Sequence, residues 1–138
     1  MAKKSDRTKM VEKADREFSR YVRRSRAKPN GWVACYTCGK EYEWKKIHCG
    51  HFMSRRHTNT RWDETNVAPQ CSGCNTYRAG EQFIFSQRID QEHGEGTSEE
   101  LLILSRQTTK LDLSDIEDIY LKYKKLNTEL DELERNIE

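Results

Sequence analysis

Cys35 and Cys38, followed by Cys71 and Cys74, form two Cys-x-x-Cys pairs separated by 32 residues. At that spacing a tight turn sets two thiolates on one edge of a metal tetrahedron, so the two pairs together predict one four-sulfur site. Four thiolates complete the coordination of zinc, which makes such a site structural and leaves it no open position for chemistry. The constraint is severe because the chain has little else to fold around. Of its 138 residues, 34% are hydrophobic and 35% charged, against about 25% charged in an average soluble domain. A zinc staple that pins both ends of an internal loop compensates for a thin core. A fifth cysteine, Cys49, lies inside that loop. It could be a redox thiol or a metal ligand, but its plainer reading is a small packing residue on a strand.

The longest continuous apolar run is Leu101-Leu102-Ile103-Leu104, and the Lys/Arg-rich amino terminus lacks an apolar stretch. A membrane span and a secretory signal are therefore not expected. The expected setting is intracellular and reducing, where paired cysteines hold metal more often than they form disulfides.

The net charge is only +2, but it is unevenly spread. Residues 1–28 carry eleven Lys and Arg against four acids, whereas residues 111–138 carry nine acids against four bases. A basic arm is the footprint of a phosphate-binding surface, and Arg20, Arg23, Arg24 and Arg26 are its candidate DNA contacts. Charge alone fits a solvated Lys-rich helix equally well.

Three segments follow from the periodicity. Residues 1–28 read as a basic amphipathic helix or arm, with Val11, Ala14, Phe18, Tyr21 and Val22 on one face,. Residues 29–94 read as a zinc-bound core. A Cys-x-x-Cys-Gly turn is followed by one or two short strands, the last ending near His51, and then by a polar loop over 53–66. Structure resumes at 67–71, and after the second cysteine pair a helix over about 81–92 is expected to bury Phe83, Ile84 and Ile89,. Residues 95–138 read as a helical tail, with capping boxes at Thr97/Glu100 and Ser114/Glu117,. Its last helix spaces Ile119, Tyr123, Leu126, Leu130, Leu133 and Ile137 as heptads,. That stripe could pack on the core, on the amino-terminal helix, or on a second copy as a homodimer. The fold class expected is α+β.

The zinc-pinned loop is rich in polar groups. His48, His51 and His57 are followed by Arg61, Asp63, Glu64 and Asn66, and Asn75 directly follows the last cysteine. A histidine at a strand end, facing a helix that opens with Asn, offers a general base opposite a ligand for a hard cation. That is a workable phosphodiesterase layout.

These motifs carry a resemblance. Cys-x-x-Cys, a strand ending in Gly50-His51-Phe52, Asn66, and then Cys71-x-x-Cys74-Asn75 resemble the zinc-bound HNH endonucleases, also called His-Me finger or ββα-metal nucleases. More narrowly, Arg61-Trp62-Asp63-Glu64-x-Asn66, Gln70-Cys71 and Gly80 are similar to the Rap/NinG family of bacteriophage recombination endonucleases. The likeness covers about residues 32–95.

The resemblance implies a zinc-stapled ββα-metal core that cuts branched recombination intermediates such as D-loops and Holliday junctions, in the cytoplasm of a bacterial host. By residue, it implies His51 as general base, Asn66 as the brace that orients it, and Asn75 as a ligand of a catalytic Mg²⁺ or Mn²⁺. Many relatives place an Asp or His directly before the base as a second ligand, where this chain has Gly50. His48 and His57 are the imidazoles available to fill that gap, with His48 preferred. Strand alternation puts His48 and His51 on opposite faces unless the strand bulges. Arg61 would lie near the scissile phosphate or pair with Glu64, and Arg55, Arg56 and Arg78 complete the expected DNA contacts. A non-catalytic zinc-finger DNA-binding protein, or an assembly protein recruiting partners through its acidic helix, would share the zinc and the charge but would not need the set His51, Asn66 and Asn75.

Overall fold

The computed structural model describes residues 3–137, with the Ile137 side chain outside the described residues. The fold is α+β and falls into two compact units. One combines the chain up to Tyr21 with the chain from Lys110 onward, and the other is Val22–Thr109.

The first unit is a helix pair. Helix α1 (Asp6–Ser25) starts where Ser5 Oγ accepts the Thr8 N–H at 3.1 Å, and it buries Ala14 and Phe18. Its partner, α5 (Leu113–Ile137), runs in the same direction. Tyr123 packs edge-on against Phe18 at 4.9 Å between ring centroids, and Asn127 donates to the Glu17 carbonyl at 2.9 Å and to the Glu17 carboxylate at 3.0 Å. Helix α5 packs on the amino-terminal helix, and of the expected heptad positions only Tyr123 is fully buried among the described residues. The buried stripe is Ile116, Tyr123 and Asn127, and Leu133 stays 57% exposed.

The second unit is built on two short antiparallel hairpins. Strands β1 (Trp32–Ala34) and β2 (Glu41–Glu43) flank the first cysteine turn, which closes through the Cys35 N–H on the Lys40 carbonyl and the Gly39 N–H on the Cys35 carbonyl. Strands β3 (His48–His51) and β4 (Val67–Gln70) pair in unbroken register, His48 opposite Gln70 and His51 opposite Val67. The loop between them contains a single helical turn, α2 (Thr58–Arg61), and a 3-10 turn at Glu64–Asn66 capped by the Asp63 carboxylate. A π-helical turn, Gly73–Tyr77, carries the second cysteine pair away from β4 and leads to α3 (Gln82–His93) and α4 (Thr97–Ser105).

Two small cores result. Val33, Trp44 and Ile47 pack with Cys35, Cys71 and Cys74, and Ala68, Phe85, Ile89 and Leu101 form the other. The residue α3 buries is Phe85 and not Phe83, which is 75% exposed. Phe85 and Ile89 stand four apart on one face of α3, whereas Phe83 lies on the other side of the helix,.

The caps also differ from the sequence expectation. Gly96, with positive φ, precedes α4, and Asp90 on α3 accepts the Ser98 N–H at 2.8 Å. At α5 the cap is Asp112, whose carboxylate accepts the Asp115 N–H at 2.9 Å while Asp115 accepts the Asp112 N–H at 3.0 Å. The reciprocal pair therefore sits two residues before Ser114, because a carboxylate serves both roles. Among the described residues no helix is long and apolar enough to cross a membrane.

Candidate functional site

The ligand sulfurs of Cys35, Cys38, Cys71 and Cys74 all lie within 4.8 Å of one another, and among the described residues they are the one His/Cys/Asp/Glu group gathered closely enough to hold a metal ion. They come from the first hairpin turn, the end of β4 and the π-helical turn, so one ion would tie three parts of the chain together.

The surroundings are prepared for negative sulfur. The Cys71 N–H donates to Cys35 Sγ at 3.3 Å, the Cys74 N–H to Cys71 Sγ at 3.4 Å, and the Arg78 guanidinium to Cys74 Sγ at 3.0 Å. Burial raises the Cys35 thiol, but N–H groups of Cys71 and Cys38 outweigh it and bring it down to about 6. Burial pushes Cys38 up to about 12, with Cys35 and Cys71 adding to it, against the Lys40 N–H. Thiols this crowded do not all ionise unless a cation neutralises them, and a structural divalent ion such as Zn²⁺ supplies that charge.

His51 lies at the end of β3, half-buried, with its Nε2 3.0 Å from the Arg61 carbonyl oxygen. A carbonyl only accepts, so Nε2 carries a proton,. The acceptor is held in place by Asn66, which is fully buried at the start of β4. Asn66 Oδ1 accepts the Met53 N–H at 2.8 Å, and its Nδ2 donates to the Met53 and Thr60 carbonyls at 3.0 Å each. One amide thus ties the end of the strand to the turn whose next residue, Arg61, supplies the carbonyl that holds His51.

Asn75, on the π-helical turn, meets His48 with Nδ2 3.1 Å from Nδ1. The structure brings His48 to Asn75. His57 caps α2 instead, where its backbone closes the turn with Ser54 and Thr60. The unbroken β3/β4 register removes the bulge that could have brought His48 and His51 onto one face, so His48 shares its face with Gly50,. Gly50 itself is a steric requirement. A Cβ there would sit 2.2 Å from Gln70 Oε1 and 2.8 Å from Gln70 Cβ. Gln70 is fully buried, with its Nε2 bonded to Thr37 Oγ1 at 3.1 Å and to the Gly80 carbonyl at 2.8 Å.

The arginines divide by environment. Arg24 is 6% exposed and stacks over Trp44, Arg23 donates to the Trp44 carbonyl at 3.0 Å, and Arg26 grips the Glu92 carboxylate through two hydrogen bonds of 2.9 and 2.6 Å. Those Arg26 bonds hold the Glu92 carboxyl below its usual range. Arg20 lies 3.6 Å from Asp131. Arg61 donates to the Arg55 carbonyl at 2.7 Å and stacks over Trp62, while the Arg55 and Arg56 side chains on the same loop are exposed.

Sequence reasoning passed over Gln70 as a packing element and Arg78 as a thiolate partner. A polar residue closing the all-buried strand Val67–Gln70 was the available signal for the first, and an arginine four residues after Cys74 for the second.

No curated protein and no solved structure matches the chain. A family model does match, over residues 1–134: that of the bacteriophage lambda NinG protein, and the chain therefore belongs to the NinG family.

Proposed function

We propose that the chain is a metal-dependent DNA endonuclease of the HNH, or His-Me finger, type, acting on branched recombination intermediates such as D-loops and Holliday junctions. The observation that carries this reading is the hydrogen bond from His51 Nε2–H to the Arg61 carbonyl. It leaves Nδ1 as the basic atom, at the end of a strand and at a position braced by a buried asparagine. A general base needs one tautomer held in place, and this bond supplies the restraint,.

In the reaction, His51 Nδ1 takes a proton from a water molecule, and the resulting hydroxide attacks the phosphorus in line with the departing sugar oxygen. Asn66 holds the loop and so keeps the imidazole in place. A catalytic cation, Mg²⁺ or Mn²⁺, would be held by His48 and Asn75 on the face of β3 opposite His51, so the substrate phosphate would have to reach round the strand end to meet both,. Two neutral protein donors suit an ion that keeps several waters and takes further oxygens from the substrate phosphate. Bound there, the cation would stabilise negative charge on the phosphate and on the leaving oxygen. The zinc cluster adjoins Asn75 in sequence and fixes the turn that carries it. Phosphate contacts fall to Arg55, Arg56 and Arg61 on the loop beside His51.

His51→Ala should retain zinc and melt as the parent does, yet lose cleavage of junction and D-loop DNA in Mg²⁺ or Mn²⁺ by at least about 100-fold. Parent protein that nicks no branched or single-stranded DNA in either metal would leave a zinc-bearing DNA-binding protein as the better description.

A further inference from the structure

Residues 79–81 form a strained turn. Ala79, Gly80 and Glu81 have φ of 51°, 85° and 49°, so three successive residues, two of them not glycine, occupy the left-handed region. Such conformations persist where the surroundings over-determine them, and they concentrate at functional positions. The surroundings here do so. Buried Gln70 donates to the Gly80 carbonyl at 2.8 Å, the Gly80 N–H donates to the Cys74 carbonyl at 2.8 Å, and the Arg78 N–H donates to the Gly73 carbonyl at 2.9 Å. The Arg78 guanidinium is further tied to Cys74 Sγ at 3.0 Å. The turn is thus anchored to the cysteine cluster on one side and to β4 on the other.

At its leading edge stands Tyr77, 85% exposed, two residues beyond Asn75. Its sequence neighbours Thr76, Arg78 and Ala79 are exposed as well. A ring this open contributes little to folding, and a single flat ring on a polar turn is not the contiguous apolar patch that binds a protein partner. It does suit the face of a nucleobase, for which aromatic stacking is effective and tolerant of sequence. In an intact duplex, base faces are covered by neighbouring pairs. At a branch point they are not.

We propose that Tyr77 is a rigidly mounted stacking wedge that receives an unpaired base next to the scissile phosphate. The wedge, two residues beyond Asn75, would make branched DNA the preferred substrate of the proposed nuclease. This inference rests on the nuclease reading above and adds to it a residue that selects DNA structure.

The test measures binding by the zinc-loaded protein without added Mg²⁺ or Mn²⁺, so that no cleavage intervenes. Full-length parent, Tyr77→Ala and Tyr77→Phe proteins, each checked for zinc content and melting, are titrated into a four-way junction with 2-aminopurine at the branch point and into a fully paired duplex of equal length. Parent and Tyr77→Phe should change the 2-aminopurine fluorescence and bind the junction alike. Tyr77→Ala should lose the fluorescence change and about ten-fold in junction affinity, with duplex affinity unchanged. Equal junction binding by Tyr77→Ala, or an equal loss on both DNAs, would overturn the wedge while leaving the nuclease reading intact. Parent protein that binds neither DNA would overturn both.

Discussion

Gly50 shows how one residue can look like an omission and prove to be a requirement. By resemblance its position should hold a metal ligand, and a chain read residue by residue only registers that the ligand is missing. The cross-strand neighbourhood supplies the reason: the Gln70 side chain fills the space any Cβ would enter. Gly50→Ala should therefore destabilise the second unit by about 1–3 kcal/mol through overpacking. It should also weaken the Gln70 bond to Gly80 and with it the strained turn. Urea denaturation followed by Trp44 fluorescence would detect the loss, and an unchanged midpoint would mean that Gln70 simply swings aside. The strand end at His51 was legible in sequence and the place of Asn66 was implied by the resemblance, whereas the Gln70–Gly50 contact was not, since it joins positions twenty residues apart on facing strands.

Helices α1 and α5 illustrate what periodicity can and cannot settle. A heptad pattern reports that a helix has an apolar stripe, but the partner is chosen by what else in the chain offers a matching stripe. In α5 the buried positions are Ile116, Tyr123 and Asn127, and Tyr123 meets both Phe18 and Tyr21. Tyr123→Ala should cost about 3 kcal/mol, in the range found for deleting a large buried ring. The loss should appear in thermal melting followed by helical circular dichroism while zinc content stays at the parent level. A melt that does not move would show that the pair is held by other contacts. The same limit explains the misplaced burial in α3. Phe83, Phe85 and Ile89 are all apolar, and it is the pair four residues apart, Phe85 and Ile89, that faces Ala68,.

At the scale of the whole molecule, the small core of the second unit depends on the cysteine cluster. Cys35, Cys71 and Cys74 are themselves core residues, packed with Val33, Trp44 and Ile47. Ion binding at such sites contributes about 10–16 kcal/mol at neutral pH in small zinc peptides, which is of the order of a domain's entire stability. The purified chain should contain one zinc. Stripping it with a strong chelator should abolish the near-ultraviolet signal of Trp44, while the α1/α5 pair retains much of the helical signal. Retention of the Trp44 signal in a zinc-free protein would show that packing alone suffices.

The sequence by itself determined the four-cysteine cluster, the strand that ends in His51 and the amphipathic helices. Each of these is encoded in spacings of a few residues, where local geometry dictates the outcome. The tertiary structure alone decided that His48 and not His57 meets Asn75, that Gly50 must lack a side chain, that Arg24 and Arg26 are engaged within the fold, and that Tyr77 stands out from it. Each of those depends on surfaces brought together from distant parts of the chain, where burial and steric fit outweigh local preference.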